Sequence, residues 1–385
     1  MSELEHAPGP VRVVAAPVVH SRYRGCLLGG AVGDALGAPV EFLRDLEIRD
    51  RFGPDVIRDY AHACGRLGAV TDDTQMTLFT ADGMMRAYVR ASVRCIGPAF
   101  AAVTARAYRR WLMTQDRCVN PFWENEPRGW LIDHAELFSR RAPGRTCLSA
   151  LRSSKQAGEP ADNDSKGCGA VMRVAPVGMF FANWLRDDAE VASDAVISDT
   201  FRVAVDVAAL THGHPRGQLP AGVFSTIVAL VLAGSTLQHS VAVALRELRR
   251  YPCHSETLKA IDKAGELALT KPGDPDALAS LGEGWVADEA LAISVYCALG
   301  ATGVEDAIVL SVNHSGDSDS TGALTGNLLG ALLGVEAIPS RWLEPLELRE
   351  PIAEMADDLA TVRSWLIDTD ESPEFDYWWR RYPGR

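Results

Sequence analysis

Apolar residues recur at intervals of three and four along most of the chain, the spacing that places them on one face of an α-helix. Within residues 77–89, Ala81, Met84, Met85 and Tyr88 follow this spacing. Similar patterns predict helices over residues 98–114, 146–154, 188–210, 219–233, 240–250, 255–268, 286–299, 304–312, 321–334 and 350–366. The alternating patterns typical of strands are few. The sequence therefore predicts an all-α fold.

The sequence predicts a single domain. Its 385 residues suffice for one large domain or two ordinary ones, and no Ser/Gly-rich linker divides them. Residues 1–20 are rich in Pro, Ala and Val and have no helical period, so we predict a poorly ordered N-terminal arm there. Pro, Gly, Asn and Asp gather near residues 116–130 and 141–170, which we interpret as loops. We predict one all-α domain over residues 21–385.

Two of the predicted helices carry a glycine at every fourth position. The two stripes consist of Gly25, Gly29, Gly33 and Gly37, and of Gly322, Gly326, Gly330 and Gly334. A glycine inside a helix costs about 1 kcal/mol relative to alanine, so such stripes require a compensating gain. We predict that the gain is a close crossing of these two helices. Asp34 and Asn327 interrupt the two apolar runs, which makes membrane spans a poor interpretation.

Two acidic clusters adjoin the predicted helices. TDDTQ (residues 71–75) precedes one apolar run, and DSDST begins the second glycine-striped helix. Asp72 with Gln75 would make a helix cap, and Asp317 or Asp319 would cap the second helix likewise. Each cluster nevertheless has more acids than a cap requires. The clusters also contain the hydroxyls of Thr71, Thr74, Ser318, Ser320 and Thr321.

Carboxylates and hydroxyls without His or Cys are hard oxygen ligands, which suit Mg²⁺ or Mn²⁺ rather than Zn²⁺. The first glycine-striped helix ends near Glu41 and the second begins at the DSDST cluster, so packing these helices would bring the acids together. Two such clusters facing each other would hold two ions about 3.5–4 Å apart. The residues alone leave both helix capping and metal binding open.

Two further segments carry candidate chemistry. SKGCGAVMR (residues 165–173) has glycines that allow the backbone to approach a ligand, and free N–H groups there would suit a phosphate. In THGHP (residues 211–215), His212 suits a hydrogen-bond donor or a ring beside a ligand, whereas His214 suits a structural role. Arg145 and Arg173 are either phosphate contacts or ordinary surface and packing arginines.

Composition narrows the classes of function. The formal net charge of −13 argues against nonspecific nucleic-acid binding, which requires a basic face. The eight cysteines are scattered without a CxxC pair, and the first 20 residues contain charges and prolines rather than an apolar stretch. No apolar run reaches membrane-spanning length. We expect a cytoplasmic protein with reduced thiols, without a membrane or nucleic-acid partner, and monomeric.

Taken together, these segments resemble the ADP-ribosylglycohydrolases. The matching segments follow the order of that family from about residue 22 to about residue 335. They are GCLLGGAVGDALGAPVEF (25–42), TDDTQM (71–76), RRAPGRTCLSALR (140–152), GCGAVMR (167–173), THGHP (211–215) and GDSDSTG (316–322). The resemblance implies an all-α fold with a dinuclear Mg²⁺ or Mn²⁺ centre that removes ADP-ribose from modified side chains or related acceptors.

The resemblance also implies roles for individual residues. The implied metal ligands are Thr71, Asp72, Asp73, Asp317, Asp319 and Ser320, the last at a position that is often threonine. Glu41 matches a glutamate that reaches the metals or the reacting water in some members. Gly167, Cys168 and Gly169, with Ser165 before them, match the diphosphate loop, whose middle residue is often asparagine, and His212 matches a residue lining the ADP-ribose groove. Cys168 and Ser320 resemble the arginine-specific branch.

The expected reaction breaks the bond between the anomeric carbon of the distal ribose and the acceptor atom, with oxocarbenium character as in glycoside hydrolysis. Glu41, Asp72 or Asp73 would orient or deprotonate the attacking water. The alternatives are a hydrolase of another linkage (serine, nucleobase or small molecule), or a module that binds ADP-ribose or a toxin without turnover.

The acceptor side of the site has a candidate in residues 120–134. This polar, Pro-containing segment offers Trp123, Glu124, Glu126, Trp130 and Asp133 to a planar cationic guanidinium. The other interpretation is an ordinary surface loop whose tryptophans anchor it to the body of the protein.

Overall fold

The computed structural model describes residues 16–116, 128–185, 190–367 and 373–384. In these ranges the chain forms seventeen α-helices and two isolated backbone bridges, Ala63–Arg66 and Gly167–Val286, so the all-α prediction is confirmed. The helices in the first half are α1 (Ala16–Gly37), α2 (Asp45–Phe52), α3 (Asp72–Arg94), α4 (Phe100–Asp116), α5 (Arg145–Ser153), α6 (Ala175–Leu185), α7 (Glu190–Ala209) and α8 (Pro215–Leu232). The others are α9 (Leu237–Leu248), α10 (Ser255–Thr270), α11 (Pro275–Ala279), α12 (Ala287–Gly300), α13 (Val304–Val312), α14 (Ser318–Leu333), α15 (Ser340–Leu343), α16 (Arg349–Thr361) and α17 (Pro373–Arg381).

The helices predicted from apolar spacing are all present, with ends that differ by a few residues. The N-terminal boundary differs from the prediction, because residues 16–20 belong to α1 rather than to an arm. His20 and Arg24 both bond to Asp357 on α16, which attaches the first turns of α1 to the body of the protein. The remainder of the predicted arm, residues 1–15, lies outside the described residues.

The prediction missed five helices, namely the short α11, α15 and α17 and two others that lack an amphipathic pattern. α6 is apolar on every side, and nine of its eleven residues are buried, among them Met179 and Phe180. α2 is the opposite case, since only Ile48 of its eight residues is buried. Periodicity identifies a helix by the spacing of its apolar residues, and neither the short α6, which is apolar at nearly every position, nor the mostly polar α2 shows that spacing.

The two glycine-striped helices cross in direct backbone contact at the centre of the fold. A Cβ atom built on Gly25, Gly29 or Gly33 of α1 would lie within 3.0 Å of the carbonyl oxygen of Gly330, Gly326 or Gly322, respectively, and the same holds in reverse. The predicted close crossing is therefore confirmed. Gly334 has a different role, since it ends α14 with a φ of 87° that favours glycine.

The rest of the core surrounds this crossing. α16 packs against α1, and α12 and α13 pack against α14. Asn327, which interrupts the apolar run of α14, is buried and its Nδ2 donates a 2.7 Å hydrogen bond to the carbonyl oxygen of Cys26. The described ranges contain no helix that is both long and apolar enough to cross a bilayer.

Candidate active site

The α1–α14 crossing brings the two acidic clusters together. The last glycine of the first stripe, Gly37, lies against the backbone of Ser318, at the start of α14. Asp319 lies close enough to Asp72 and Asp73, at the start of α3, that its charge raises the pKa values of both carboxyls. The clusters are far apart in sequence and adjacent in space, so the structure brings together the six predicted metal ligands and Glu41.

The ends of α3 and α14 are not capped as the sequence suggested. The N-cap of α3 is Thr71 rather than Asp72, and its Oγ1 accepts from the Asp73 backbone N–H at 3.2 Å. Gln75 does not complete a capping box, because its amide oxygen accepts from Trp111 and Gln115 on α4. The N-cap of α14, Asp317, makes no capping bond with its side chain. The carboxylates of the two clusters therefore contribute little to capping these helices.

Asp34, which the sequence analysis treated only as an interruption of an apolar run, takes over the capping of α3. This fully buried carboxylate of α1 accepts hydrogen bonds from the Thr71 N–H at 3.0 Å and the Thr74 N–H at 3.1 Å. It also accepts one from the Thr74 hydroxyl at 2.5 Å. These donors are the N-cap and N3 groups of the helix, which a capping box would otherwise satisfy. A signal existed in the sequence, since a charged residue inside a glycine-striped helix requires a buried partner.

The electrostatics of the cluster are those of acids without neutralising charge. Burial, and then the carboxylates of Asp319, Asp317 and Asp72, raise the pKa of Glu41 to about 11. Burial and then Asp319 raise the pKa of Asp34 to about 7. The pKa values of Asp72, Asp73 and Asp317 lie well above the ordinary value, and that of Asp319 is also raised, in each case first because of burial. Bound cations would stabilise the ionised form of such a group of carboxyls.

The donor set fits hard divalent cations. Asp73 Oδ1 is buried and has no hydrogen-bond partner, which is unusual for a carboxylate oxygen. No three His, Cys, Asp or Glu side chains within the described ranges form a closed set of metal ligands by themselves. A metal would therefore draw on hydroxyls as well, and those of Thr71 and Ser320 lie in the cluster. Carboxylate and hydroxyl oxygens together suit Mg²⁺ or Mn²⁺.

Cys168 joins the glycine loop to this cluster. Its thiol donates to Asp317 Oδ2 at 2.5 Å, and the Ser320 hydroxyl donates to its sulfur at 3.7 Å. The backbone N–H of Cys168 donates to the carbonyl oxygen of Trp285 at 3.1 Å. The two residues that suggested the arginine-specific branch therefore contact each other beside one candidate metal ligand.

The glycine loop lies directly over His212. A Cβ atom on Gly167 would be 3.3 Å from His212 Nε2, and one on Gly169 would be 3.4 Å from its Cε1. The ring is buried, and its Nδ1 bonds to the Thr211 hydroxyl at 2.8 Å. Burial, and then the charge of Arg173, lower the pKa of His212 to about 3, so the ring is neutral. Ser165 is half-buried beside the loop, and its Oγ accepts from the Gly167 N–H at 3.4 Å.

The other polar candidates have structural positions. Arg173 is fully buried, donates to the Thr211 hydroxyl at 2.7 Å and stacks on Tyr108, so it is a packing arginine. Arg145 is exposed at the start of α5. His214 is the N-cap of α8, and its Nδ1 accepts from the Arg216 N–H at 3.0 Å, in agreement with the structural role expected for it.

Most of the segment 120–134 falls outside the described residues, including Trp123, Glu124 and Glu126. Trp130 lies under the guanidinium of Arg381, 3.8 Å from the ring centroid, and so contacts α17 near the C-terminus. Asp133 is exposed. The part of this segment that the structure describes agrees with an anchoring role for its tryptophan.

The fold and the site define an all-helical protein with a buried, oxygen-rich acidic centre beside a glycine loop. The family model described as ADP-ribosylglycohydrolase matches residues 15–366. The chain therefore belongs to the ADP-ribosylglycohydrolase family and is a glycohydrolase, as the sequence resemblance predicted.

Named relatives and a solved structure agree with this membership. The chain is 29% identical to the ADP-ribosylarginine hydrolase Tri1 of Pseudomonas putida (strain GB-1) over 341 residues, which cover 88% of this chain and 77% of that protein. It is 26% identical to the ADP-ribosyl-[dinitrogen reductase] glycohydrolase of Rhodospirillum rubrum over 344 residues, covering 87% and 94% of the two chains. A solved structure described as an ADP-ribosylglycohydrolase-related protein complex has the same fold, with a TM-score of 0.61, 24% identity and coverage of 90% and 99%.

Proposed function

We propose that this protein is a metal-dependent hydrolase that removes ADP-ribose from modified arginine side chains of proteins. The convergence of six buried carboxyl-bearing and hydroxyl-bearing residues around the α1–α14 crossing carries the proposal. The names of two relatives, from Pseudomonas putida and Serratia proteamaculans (strain 568), specify an ADP-ribosylarginine hydrolase. The contact between Cys168 and Ser320 supports the same branch.

Two Mg²⁺ or Mn²⁺ ions would supply Lewis-acid stabilisation and an anchor for the cis-diol of the distal ribose. The residues that would hold them are Thr71, Asp72, Asp73, Asp317, Asp319 and Ser320. Their positions at the starts of α3 and α14 are fixed by the glycine crossing and by Asp34, so the oxygens are preorganised before a ligand arrives.

Glu41 is the carboxyl best placed to orient the attacking water and, once bound cations lower its raised pKa, to take the proton of that water. Asp72 and Asp73 are buried, whereas Glu41 is half-buried in the turn that follows α1, where it can meet substrate. The water attacks the anomeric carbon as the bond to the acceptor nitrogen breaks. The leaving guanidine must finish protonated because its pKa exceeds about 12, so a proton from water or a nearby acid accompanies its departure.

The half-buried loop of Gly167, Cys168 and Gly169, together with Ser165, would receive the diphosphate. The His212 ring packs against this loop. Because the ring is neutral, it would contribute no charge to phosphate binding. A cytoplasmic location and a monomeric state are also part of the proposal.

Competition between two substrates tests the proposal. Matched peptides bearing arginine-linked and serine-linked ADP-ribose are incubated together with the protein and Mg²⁺, and in parallel with EDTA. We expect release of free ADP-ribose, measured by mass spectrometry, with a higher kcat/KM for the arginine linkage and none in EDTA. A higher value for the serine linkage would overturn the arginine assignment. Tight binding without release would favour the binding module.

A further inference from the structure

Phe42 and Trp285 form a solvent-exposed aromatic pair. Their ring centroids are 5.4 Å apart and their planes differ by 19°, so the rings are stacked. Phe42 is 67% exposed and Trp285 is 37% exposed. Large aromatic side chains contribute most to stability when they are buried, and this pair keeps much of its surface in water. A contribution to the stability of the fold therefore does not explain this exposed pair.

The pair is attached to the acidic centre on both sides. Phe42 directly follows Glu41 in the turn after α1. Trp285 lies in the turn between α11 and α12, and its carbonyl oxygen accepts from the Cys168 N–H at 3.1 Å. In the same turn, a Cβ atom on Gly284 would be 3.3 Å from that of Asp317. The two rings therefore stand at the opening of the candidate site.

The backbone at Phe42 is strained in a way that sets the ring's position. Its φ of 70° lies in the left-handed region, which costs a residue with a Cβ atom roughly 1–2 kcal/mol. A glycine at this position would avoid the cost. The Phe42 ring is largely exposed and stacks on Trp285. Backbone strain that is retained at the mouth of a site in such a residue indicates a function for its ring.

The surroundings select the kind of group that the pair accepts. An aromatic face beside a group of carboxyls favours a planar cation, since the ring attracts positive charge and the carboxyls complement it. A guanidinium is planar and stacks on aromatic rings, whereas a serine hydroxyl offers neither property. We propose that the Phe42–Trp285 pair receives the guanidinium of the arginine acceptor, an inference that rests on the proposed function.

Substitutions of the two rings test the proposal. Trp285→Ala and Phe42→Gly each remove one ring, and the glycine also relieves the backbone strain. We expect each variant to lose tenfold or more in kcat/KM on the arginine-linked peptide and less than twofold on the serine-linked peptide. The Kd for free ADP-ribose should be unchanged, and Trp285→Phe should restore most of the arginine-linked rate. Leu46→Ala, which removes an exposed apolar side chain on α2, is the matched control and should change neither rate.

The outcomes separate this proposal from the proposed function. Equal losses on both peptides, with weaker binding of free ADP-ribose, would show that the pair holds the ADP-ribose part, which overturns the inference and leaves the hydrolase intact. Binding of both peptides to the Glu41→Gln variant gives the same comparison without turnover. A wild-type protein that cleaves neither peptide would overturn the proposed function. In that case, weaker binding of only the arginine-linked peptide by Trp285→Ala would still support the role of the Phe42–Trp285 pair. Unchanged binding of that peptide would overturn it.

Discussion

Asp34 explains how the start of α3 can be both a helix terminus and a ligand-binding surface. A helix N-terminus ordinarily uses nearby side chains for its free N–H groups. Here a carboxylate from α1 accepts from Thr71 and Thr74, which leaves the side chains of Asp72 and Asp73 available for other ligands. One buried residue on a neighbouring helix thus converts a capping sequence into a candidate metal site.

Replacing Asp34 with Asn should weaken both stability and metal binding. The carboxylate now accepts hydrogen bonds from backbone N–H groups. The Asn side chain replaces one acceptor oxygen by an NH₂ group, so one or two of those hydrogen bonds are lost. We expect a decrease of about 1–3 kcal/mol in the free energy of unfolding, and weaker binding of Mn²⁺ by calorimetry. Asp274→Asn is the control, because Asp274 caps α11 locally and Asn caps equally well. Identical behaviour of the two variants would contradict this role of Asp34.

His212 should make stability depend on pH in a defined direction. Its pKa falls from the ordinary value of 6.5 to about 3 in the folded protein. The stability that comes from keeping the ring neutral is therefore fully present above pH 6.5 and is lost as pH falls toward 3, by at most about 1.4 kcal/mol per pH unit. In urea denaturation between pH 7.5 and 5, the advantage of wild type over His212→Gln should shrink as pH falls. Parallel curves would show that His212 titrates normally.

Residue types in the two acidic clusters were recognisable from the sequence, whereas the partners of those residues were not. Thr71, Asp319 and Ser320 stand out because acids and hydroxyls repeat before apolar runs. Asp34 signals only that an acid inside a glycine-striped helix requires a buried partner, and that partner is identified only once the fold is known. Phe42 and Trp285 were missed for the same reason: their pairing joins two segments far apart in sequence.

At the scale of elements, the α1–α14 crossing determines the geometry of the site. Each glycine stripe lets one helix backbone contact the other, so the start of α14 is held against the end of α1. A side chain between them would separate the helices along their length and move the acidic clusters apart. Close packing and site geometry are therefore the same requirement.

Gly29→Ala should destabilise the fold even though alanine favours helices. The new Cβ atom would lie within 3.0 Å of the Gly326 carbonyl oxygen, and backbone cannot move aside as a flexible side chain can. We expect a loss of about 1–3 kcal/mol, and more for Gly29→Leu. Gly265→Ala on α10 is the matched control, because a Cβ atom there meets nothing within 4 Å, and it should stabilise by up to about 1 kcal/mol. Equal melting temperatures for the two alanine variants would refute the packing argument.

The helices that the sequence predicted are those whose apolar residues recur at intervals of three and four, and the two stripes of glycine predicted the central crossing. α6 was missed because its short run is apolar at nearly every position, and α2 because it is mostly polar, so neither shows the helical spacing. The start of α1 at Ala16 also depended on tertiary contacts, the bonds of His20 and Arg24 to Asp357. Local patterns therefore predict a helix where apolar residues repeat at helical spacing. They do not predict where a helix begins when tertiary contacts determine that position.

At the scale of the whole molecule, the fold holds six carboxyl groups in one buried place, where in the absence of metal they raise one another's pKa values. This arrangement is unfavourable by itself, since buried like charges repel and lose their hydration. Divalent cations would reverse the sign of the interaction. Stability and metal binding should therefore be linked, with the folded state stabilised by RT ln(1 + [metal]/Kd).

Asp73→Ala and Asp319→Ala test this linkage and separate it from simple helix capping. In EDTA, removing one of several repelling carboxyls should leave the melting temperature unchanged or raise it, and the helical circular dichroism signal should persist. With Mn²⁺, wild type should gain stability that both variants lose, together with hydrolysis of the arginine-linked peptide. The double variant should bind Mn²⁺ no worse than the weaker single variant, because the two residues serve one centre. Asp262→Ala, at an exposed position on α10, should match wild type throughout. Capping alone would instead lower stability by about 1 kcal/mol with or without metal, and additive losses in metal affinity would place the two clusters in separate sites.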